Sequence, residues 1–276
     1  MPSDDALTPP HDPLAHVRIR AWLPDNAANR AAAAALHDEL ERFAAIAGSG
    51  LGLRGIGKLV IRSIPEEEWA TTWRAEFPVL RIGRIVIRPP WSEHAAEPGD
   101  AVVVIDPGQA FGTGLHPTTR LALAGINRWA EAGLLAALPS DGVGIVDVGT
   151  GSGILLAAAL QLGASHGSGV DIDQVAVDAA RGNLERNGLS ARTDIALGSL
   201  PLTSAAPLVV ANLVAALHMQ LAPLLAGAVA PGGRLLASGI ISARADETLA
   251  ALRAAGLTLV DRWGEGEWVA LELTHG

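Results

Sequence analysis

The second half of the chain alternates between short apolar runs and longer runs with helical spacing. Residues 155–162 and 208–210 are mostly apolar, which is typical of elements that are buried on both faces. Five strand–helix pairs, followed by a hairpin at Gly264-Glu265-Gly266, predict a seven-stranded sheet with one antiparallel strand. The predicted fold class is therefore α/β with a mostly parallel sheet.

The same pattern sets the bounds of the predicted elements. Strands are expected at residues 144–148, 169–173, 192–196, 207–213, 234–238, 257–263 and 267–273. Helices are expected from residue 117, from residue 154, and at 174–187, 215–230 and 244–255. Pro231-Gly232-Gly233 predicts a turn before the fifth strand. Residues 81–88 and 101–106 each predict one further strand upstream.

The N-terminal part predicts a separate small domain. Residues 1–13 are polar and rich in proline, so we expect a disordered tail. Residues 14–64 have a strand–helix–strand pattern, with the helix at 29–47, and predict a small α+β domain. This domain either docks a partner or covers one face of the larger domain. Residues 65–78 predict a linker helix, and residues 79–276 form the main domain.

Three glycines on alternate positions, Gly149, Gly151 and Gly153, follow the apolar strand at 144–148 and precede a helix. Such a turn lets backbone N–H groups face a ligand. A dinucleotide fingerprint requires a further glycine where Ile154 stands, whereas adenosylmethionine-dependent methyltransferases use this spacing. Asp171 ends the next strand, where a carboxylate can accept both hydroxyls of a ribose. The alternative is that Asp171 caps a helix.

A second loop, at residues 107–116, is rich in glycine and hydroxyl side chains and leads into the helix at Pro117. Loops of this composition often bind ligands. Thr118 and Thr119 follow it and are either ligand contacts or ordinary residues of a first helical turn. His116 is a ligand contact, a general base or a structural residue, and a structural or positioning role is favoured.

Composition excludes several function classes. The chain has no cysteine, which excludes disulfides, thiol catalysis and cysteine zinc sites, and its histidine spacing suggests no metal site. The net charge of −9 argues against a broad nucleic-acid surface and suits a basic partner. No apolar run reaches the length of a membrane span, and no export signal is visible. We therefore expect no membrane partner and a cytoplasmic location.

Four stretches together resemble a class I (Rossmann-like) S-adenosylmethionine-dependent methyltransferase and, more narrowly, the bacterial ribosomal protein L11 methyltransferase family. They are residues 106–119 (DPGQAFGTGLHPTT), 147–155 (DVGTGSGIL), 170–173 (VDID) and 210–213 (VANL). The first is the most specific, because generic methyltransferases lack it. With residues 265–270, the matches extend roughly from 65 to 273. The N-terminal part matches only in size and in its strand–helix–strand pattern.

The resemblance implies a small N-terminal domain that grips a large-subunit ribosomal protein, a linker helix, and a catalytic domain. That domain methylates lysine side chains and the N-terminal amine. The implied S-adenosylmethionine contacts are Thr119, Gly149, Asp171 and Asn212, together with Gly151 of the same glycine turn. Phe111, Gly112 and Thr113 would line the side of methyl transfer. Asn212 is the implied catalytic residue, because its neutral amide oxygen can orient an uncharged amine.

Other functions remain open at this stage. A related methyltransferase could act on a glutamine side chain or on a small-molecule amine. Enzymes that methylate planar amides or bases usually have Asn/Asp-Pro-Pro and an aromatic residue at the end of the fourth strand. Here Leu213-Val214-Ala215 follows Asn212, which argues against a planar amide or base as the acceptor. The acidic charge disfavours an RNA methyltransferase. A cofactor-binding module without catalysis is a further alternative, and Ile154 makes a dehydrogenase least favoured.

Overall fold

The computed structural model describes residues 31–33, 35–40, 42, 78–106, 114–138 and 142–276. The chain divides into two compact units, Met1–Thr72 and Trp73–Gly276. In the first unit, all described residues are helical and fall within the helix expected at 29–47. The predicted tail at 1–13, the two strands of the α+β domain, and the linker helix up to residue 77 lie outside the described residues. The predicted domain bounds therefore stay predictions.

A small three-stranded sheet lies at the start of the second unit. It contains β1 (Leu80–Ile82), β2 (Ile85–Arg88) and β3 (Ala101–Val104), in that order. β1 and β2 are antiparallel, and β2 and β3 are parallel. The single strand predicted at 81–88 is therefore wrong, because the chain reverses at Gly83. This glycine has a φ of +55° and lies against Asn127, whose Oδ1 accepts the backbone N–H of Arg84 at 3.0 Å.

The larger sheet has the predicted seven strands. They are β4 (Ile145–Val148), β5 (Gly167–Asp171), β6 (Thr193–Leu197), β7 (Ala206–Asn212), β8 (Val229–Ile241), β9 (Leu257–Glu265) and β10 (Trp268–His275). Their order across the sheet is β6-β5-β4-β7-β8-β10-β9. Neighbours from β6 to β8 pair in parallel, whereas β10 is antiparallel to both β8 and β9. The prediction of one antiparallel strand in this sheet is confirmed.

Helices cover both faces of this sheet. They are α1 (Pro117–Glu131), α2 (Ile154–Gln161), α3 (Gln174–Arg186), α4 (Ala215–Ala228) and α5 (Ala245–Ala254). Side chains of β7 alternate between two apolar clusters: Leu208 and Val210 pack with α1 and α2, and Val209 and Ala211 pack with α4 and α5. Both faces of β7 are thus buried, as its apolar run predicts. None of the described helices has the length and apolar character needed to cross a membrane.

The structure differs from the prediction at two turns. Pro231-Gly232-Gly233 does not separate a helix from a strand but belongs to β8, where the register with β7 shifts between Ala206 and Leu208. The bulge places Gly232 at a φ of +73°. The last hairpin turns at Gly266 and Glu267, because Glu265 still pairs with Trp268. The neighbouring carboxyl ends of β4, β5, β7 and β8 form the edge that carries the candidate site.

Candidate active site

The glycine turn between β4 and α2 is built from three left-handed residues. Gly149, Gly151 and Gly153 have φ values of +75°, +54° and +77°. Gly153 forms the N-cap of α2 and packs against α3, where an added Cβ would lie 3.2 Å from the Cα of Ala180. Glycine is therefore required by both the backbone conformation and the packing. Gly153 itself has no side chain that could cap the first N–H groups of α2.

Asp171, at the end of β5, is tied to this turn. Its Oδ2 accepts the backbone N–H of Gly151 at 2.9 Å, and its Oδ1 accepts the backbone N–H of Asp173 at 3.0 Å. The N-cap of α3 is Asp173, whose Oδ1 accepts the N–H of Val175 at 2.9 Å. The alternative role of Asp171 as a helix cap is thus taken by its neighbour. The carboxylate of Asp171 instead lies beside the glycine turn, partly exposed.

Asn212 and Thr119 meet at the carboxyl edge of the sheet. Asn212 ends β7, and Thr119 lies in the first turn of α1 and is 1% exposed. The Nδ2 of Asn212 lies 3.5 Å from the Oγ1 of Thr119, in a geometry in which the amide donates to the hydroxyl. The two residues are 93 positions apart in the sequence. The strand order and the position of α1 therefore bring them together.

A small cleft, partly open to solvent, lies between these elements. Its lining consists of Thr119, Gly149, Thr150, Gly151, Ile154, Leu155 and Asn212. Four of the residues selected from the sequence thus line one cleft, and Asp171 is joined to them through Gly151. Phe111, Gly112 and Thr113 lie outside the described residues, so their predicted role stays a prediction.

His116 has a structural role at this edge. It is the N-cap of α1: its Nδ1 accepts the backbone N–H of Thr118 at 3.4 Å and lies 2.8 Å from the Oγ1 of Thr118. Its ring makes an edge contact with Trp268 of β10, with centroids 5.0 Å apart. Arg120, also on α1, donates from Nε to the carboxylate of Glu265 at 3.0 Å. The start of α1 is therefore held against the β9–β10 hairpin.

Asp147, under the glycine turn, was not selected as a site residue from the sequence. It is 1% exposed, and its Oδ2 accepts a hydrogen bond from the Thr150 hydroxyl at 2.9 Å. Its Oδ1 has no hydrogen-bond partner among the residues that the structure describes. Burial raises the pKa of Asp147 to about 7; the Thr150 hydrogen bond opposes this effect, and the nearby Asp171 adds to it. The sequence signal was an aspartate within the apolar strand that leads into the glycine turn.

Gly239 of β8 was also missed. Its φ is +84°, and an added Cβ would lie 2.3 Å from the carbonyl oxygen of Leu213 and 3.0 Å from the Oδ1 of Asn212. A side chain at this position would therefore push on the segment that carries Asn212. The sequence signal was the Ser238-Gly239 pair directly after the apolar residues of the predicted fifth strand.

The described residues fit S-adenosylmethionine, which the resemblance implies. The first N–H groups of α2 suit the carboxylate of its amino-acid portion. The carboxylate of Asp171 at a strand end suits the hydroxyls of a ribose. The carboxyl of Asp147 lies under the glycine turn, and one of its oxygens has no hydrogen-bond partner among the described residues. Those residues contain no group of His, Asp and Glu that could hold a metal ion.

Comparisons with known proteins agree with this geometry. A family model described as ribosomal protein L11 methyltransferase matches residues 10–275. A protein of that name from Pelotomaculum thermopropionicum is 44% identical over 213 residues, which cover 76% of this chain and 66% of the relative. Another from Symbiobacterium thermophilum is 39% identical over 264 residues, which cover 95% of this chain and 82% of the relative.

A solved structure points the same way. It is described as a ribosomal protein L11 methylase from Lactobacillus delbrueckii subsp. bulgaricus. Its TM-score with this chain is 0.63 at 29% identity, and the match covers 71% of this chain and 98% of that one. The seven-stranded sheet with its antiparallel strand is the class I methyltransferase fold. Because the family model matches nearly the whole length, the chain belongs to the ribosomal protein L11 methyltransferase family.

Proposed function

We propose that this chain transfers methyl groups from S-adenosylmethionine to amines of ribosomal protein L11, namely lysine side chains and the N-terminal amine. The observation that carries the proposal is the meeting of Asn212 and Thr119 beside the glycine turn, in a member of this family. The pair places a neutral amide at the edge of a cleft whose other walls suit the donor.

When bound, S-adenosylmethionine supplies a methyl group that is already activated for displacement at carbon. The protein therefore contributes mainly alignment and the exclusion of water. In the proposal, the glycine turn and the first N–H groups of α2 bind the amino-acid portion of the donor. Asp171 accepts hydrogen bonds from the ribose hydroxyls of the donor, and Thr119 contacts the donor from α1.

The acceptor amine must lose its proton before it can attack. A lysine in water has a pKa of about 10.4 and is almost entirely protonated at neutral pH. Entry into a cleft with the apolar side chains of Ile154 and Leu155 lowers the pKa of an amine, because burial disfavours the ammonium form. The amide of Asn212 can accept an N–H bond and direct the lone pair of the amine. Being uncharged, it does not stabilise the ammonium ion as a carboxylate would.

Partner and location belong to the same proposal. A chain of net charge −9 favours approach by a basic acceptor protein, and we propose that the acceptor is basic. No sequence-specific contact with nucleic acid is proposed. The cytoplasm is the proposed location, because a ribosomal protein is the proposed acceptor.

The test is direct transfer to the proposed acceptor. The full chain is incubated with S-adenosylmethionine and purified ribosomal protein L11, and the mass of L11 is measured. We expect increments of about 14 Da, one CH₂ for each methyl group transferred. Tandem mass spectrometry is expected to place them on lysine side chains and the N-terminal amine, and chemically acetylated L11 is expected to gain none. Methylation on glutamine would support the related alternative, and an unchanged L11 mass would refute the proposal.

A further inference from the structure

Ser238 of β8 contacts both of the elements that carry Asn212 and Thr119. It is fully buried and pairs with Asn212 across the parallel strands β7 and β8. Its hydroxyl donates to the carbonyl oxygen of Thr118 at 2.8 Å, and its own carbonyl oxygen accepts the N–H of Leu213 at 3.0 Å. Thr118 directly precedes Thr119, and Leu213 directly follows Asn212. One residue thus bonds to the immediate neighbours of both.

A buried histidine makes a second bond to the same carbonyl group. His218, on α4, has no exposed surface, and its Nε2 lies 2.8 Å from the carbonyl oxygen of Ser238. A carbonyl oxygen only accepts, so Nε2 carries the proton. Burial lowers the pKa of His218 to about 4, and its hydrogen bond with the backbone of Ser238 opposes that effect. The imidazole is therefore neutral at physiological pH and donates one directed hydrogen bond.

We propose that Ser238 and His218 form a positioning clamp for methyl transfer, which sets the separation of Thr119 and Asn212 at the cleft. The inference rests on the proposed methyl transfer. Both residues lie behind the cleft lining and act through Thr118 and Leu213. The hydroxyl of Ser238 fixes the start of α1 relative to β8. The two bonds to its carbonyl oxygen fix the chain where β7 passes into α4.

Hydrogen bonds suit this task better than apolar packing would. A buried bond has a preferred length and direction, whereas apolar contact is non-directional. Bond-forming groups at a reaction centre must be held closely, and a displacement of about 1 Å can lower a rate about a hundredfold. Gly239 adds to the constraint from the next position of β8, because its Cα lies against the carbonyl of Leu213. The clamp therefore acts on the one segment whose position decides where the amide of Asn212 lies.

The first test removes the hydroxyl alone. Ser238→Ala is compared with Thr248→Val, which removes another buried hydroxyl, on α5. The Oγ1 of Thr248 donates to the carbonyl oxygen of Arg244 at 2.8 Å. We expect similar losses of thermal stability in both variants. We expect Ser238→Ala to lower kcat about tenfold while the KM for L11 and the Kd for S-adenosylmethionine change less than about twofold. Thr248→Val is expected to keep all three constants.

The second test does not depend on activity. Crystal structures of the wild type and of Ser238→Ala are compared, and the distance from the Thr119 Oγ1 to the Asn212 Nδ2 is expected to lengthen in the variant. If the wild type does not methylate L11, the proposed function fails, but this distance still tests the clamp. An unchanged Thr119–Asn212 distance in Ser238→Ala overturns the inference, whatever the activity. A loss of kcat in Thr248→Val as large as that in Ser238→Ala overturns it as well.

Substitutions at His218 test the clamp if Ser238→Ala does not fold. Gln places an N–H donor near the position of Nε2, whereas Leu fills a comparable space without a donor. We expect His218→Gln to keep most of kcat and the Thr119–Asn212 distance. We expect His218→Leu to lower kcat about tenfold with little change in KM. Equal kcat values and equal distances in the two variants would refute the role of His218.

Discussion

The carboxylate of Asp171 accepts the backbone N–H of Gly151 at 2.9 Å. This bond joins the end of β5 to the middle of the glycine turn that follows β4. The second oxygen of the Asp171 carboxylate accepts the N–H of Asp173. The side chain is thus already oriented by two backbone groups, and it presents a partly exposed carboxylate at the edge where the donor is proposed to bind.

Asp171→Ala is expected to weaken donor binding more than it lowers stability. A hydrogen bond to a charged group contributes about 1.5–3 kcal/mol, so we expect the Kd for S-adenosylmethionine to rise about 10- to 100-fold. Titration calorimetry measures this directly. The matched control is Asp173→Ala, which removes the N-cap of α3 and is expected to cost about 1 kcal/mol of stability without changing the Kd. Unchanged affinity in Asp171→Ala would refute the ribose assignment.

Two glycines of β8 offer a matched pair. Gly239 and Gly232 both have a positive φ, but only Gly239 has atoms within contact distance of an added Cβ. Gly232→Ala is expected to lower the free energy of unfolding by about 1 kcal/mol through backbone strain alone. Gly239→Ala adds a clash with the carbonyl of Leu213, and its total loss is expected to exceed about 2 kcal/mol. Urea unfolding measures both.

Activity distinguishes the same two variants more sharply. Gly239→Ala displaces the segment of Leu213 and Asn212, so we expect it to lose most of its kcat at a temperature where it remains folded. Gly232→Ala is expected to keep its kcat, because the added Cβ points into open space. Equal kcat values in the two variants would contradict the close contact between Gly239 and the segment of Leu213 and Asn212.

Asn212→Ala is expected to keep the fold and lose most of its turnover. Loss of the group that orients the acceptor amine is expected to lower kcat about a hundredfold. Asn212→Asp is the nearly isosteric comparison, since it keeps the shape and adds a charge. A carboxylate stabilises the ammonium form, so its pH–rate profile should shift to higher pH than that of the wild type. Full activity in Asn212→Ala would remove Asn212 from the mechanism.

Asp147 predicts a pH dependence of stability. Its pKa is raised from the usual 3.8 to about 7 in the folded chain, mainly by burial. Its contribution is therefore fully present below about pH 4 and is lost as pH rises to about 7, because the unfolded state ionises first. Asp147→Asn lacks this titration. We expect the stability of the variant relative to the wild type to increase from pH 5 to pH 8, by up to about 2.6 kcal/mol.

Urea unfolding of both proteins at the two pH values, without donor, measures this difference. Parallel pH profiles would show that Asp147 is ionised in the folded protein throughout. In that case its second oxygen must have a partner beyond the residues that the structure describes.

Local patterns predicted the order of elements and much of the candidate site. The glycine turn, the helix starting at Pro117 and the strand ends at Asp171 and Asn212 depend on residues close in sequence, so the chain reveals them directly. The rule that ligands bind at the carboxyl edge of parallel strands then placed Asn212 near Gly149. Selection of Thr119 needed the family resemblance, because nothing local distinguishes it from Thr118.

Features decided by distant residues could not be predicted. The reversal at Gly83 depends on Asn127, which accepts the N–H of Arg84 from 43 positions away in the helix that packs on the turn. The bulge at Gly232 depends on the register between β7 and β8. The bond from Ser238 to the carbonyl of Thr118 spans 120 positions. Apolar periodicity indicates which face of an element is buried, but it does not indicate which polar groups meet there.

The position of β10 has a consequence during synthesis. Translation produces β9 first, yet within the described strands β9 pairs with β10 alone, and β10 also covers the edge of β8. Until β10 emerges, a nascent chain therefore exposes an uncovered strand edge, which can recruit other chains. Once β10 is made, it pairs with β8 and removes this exposed strand edge.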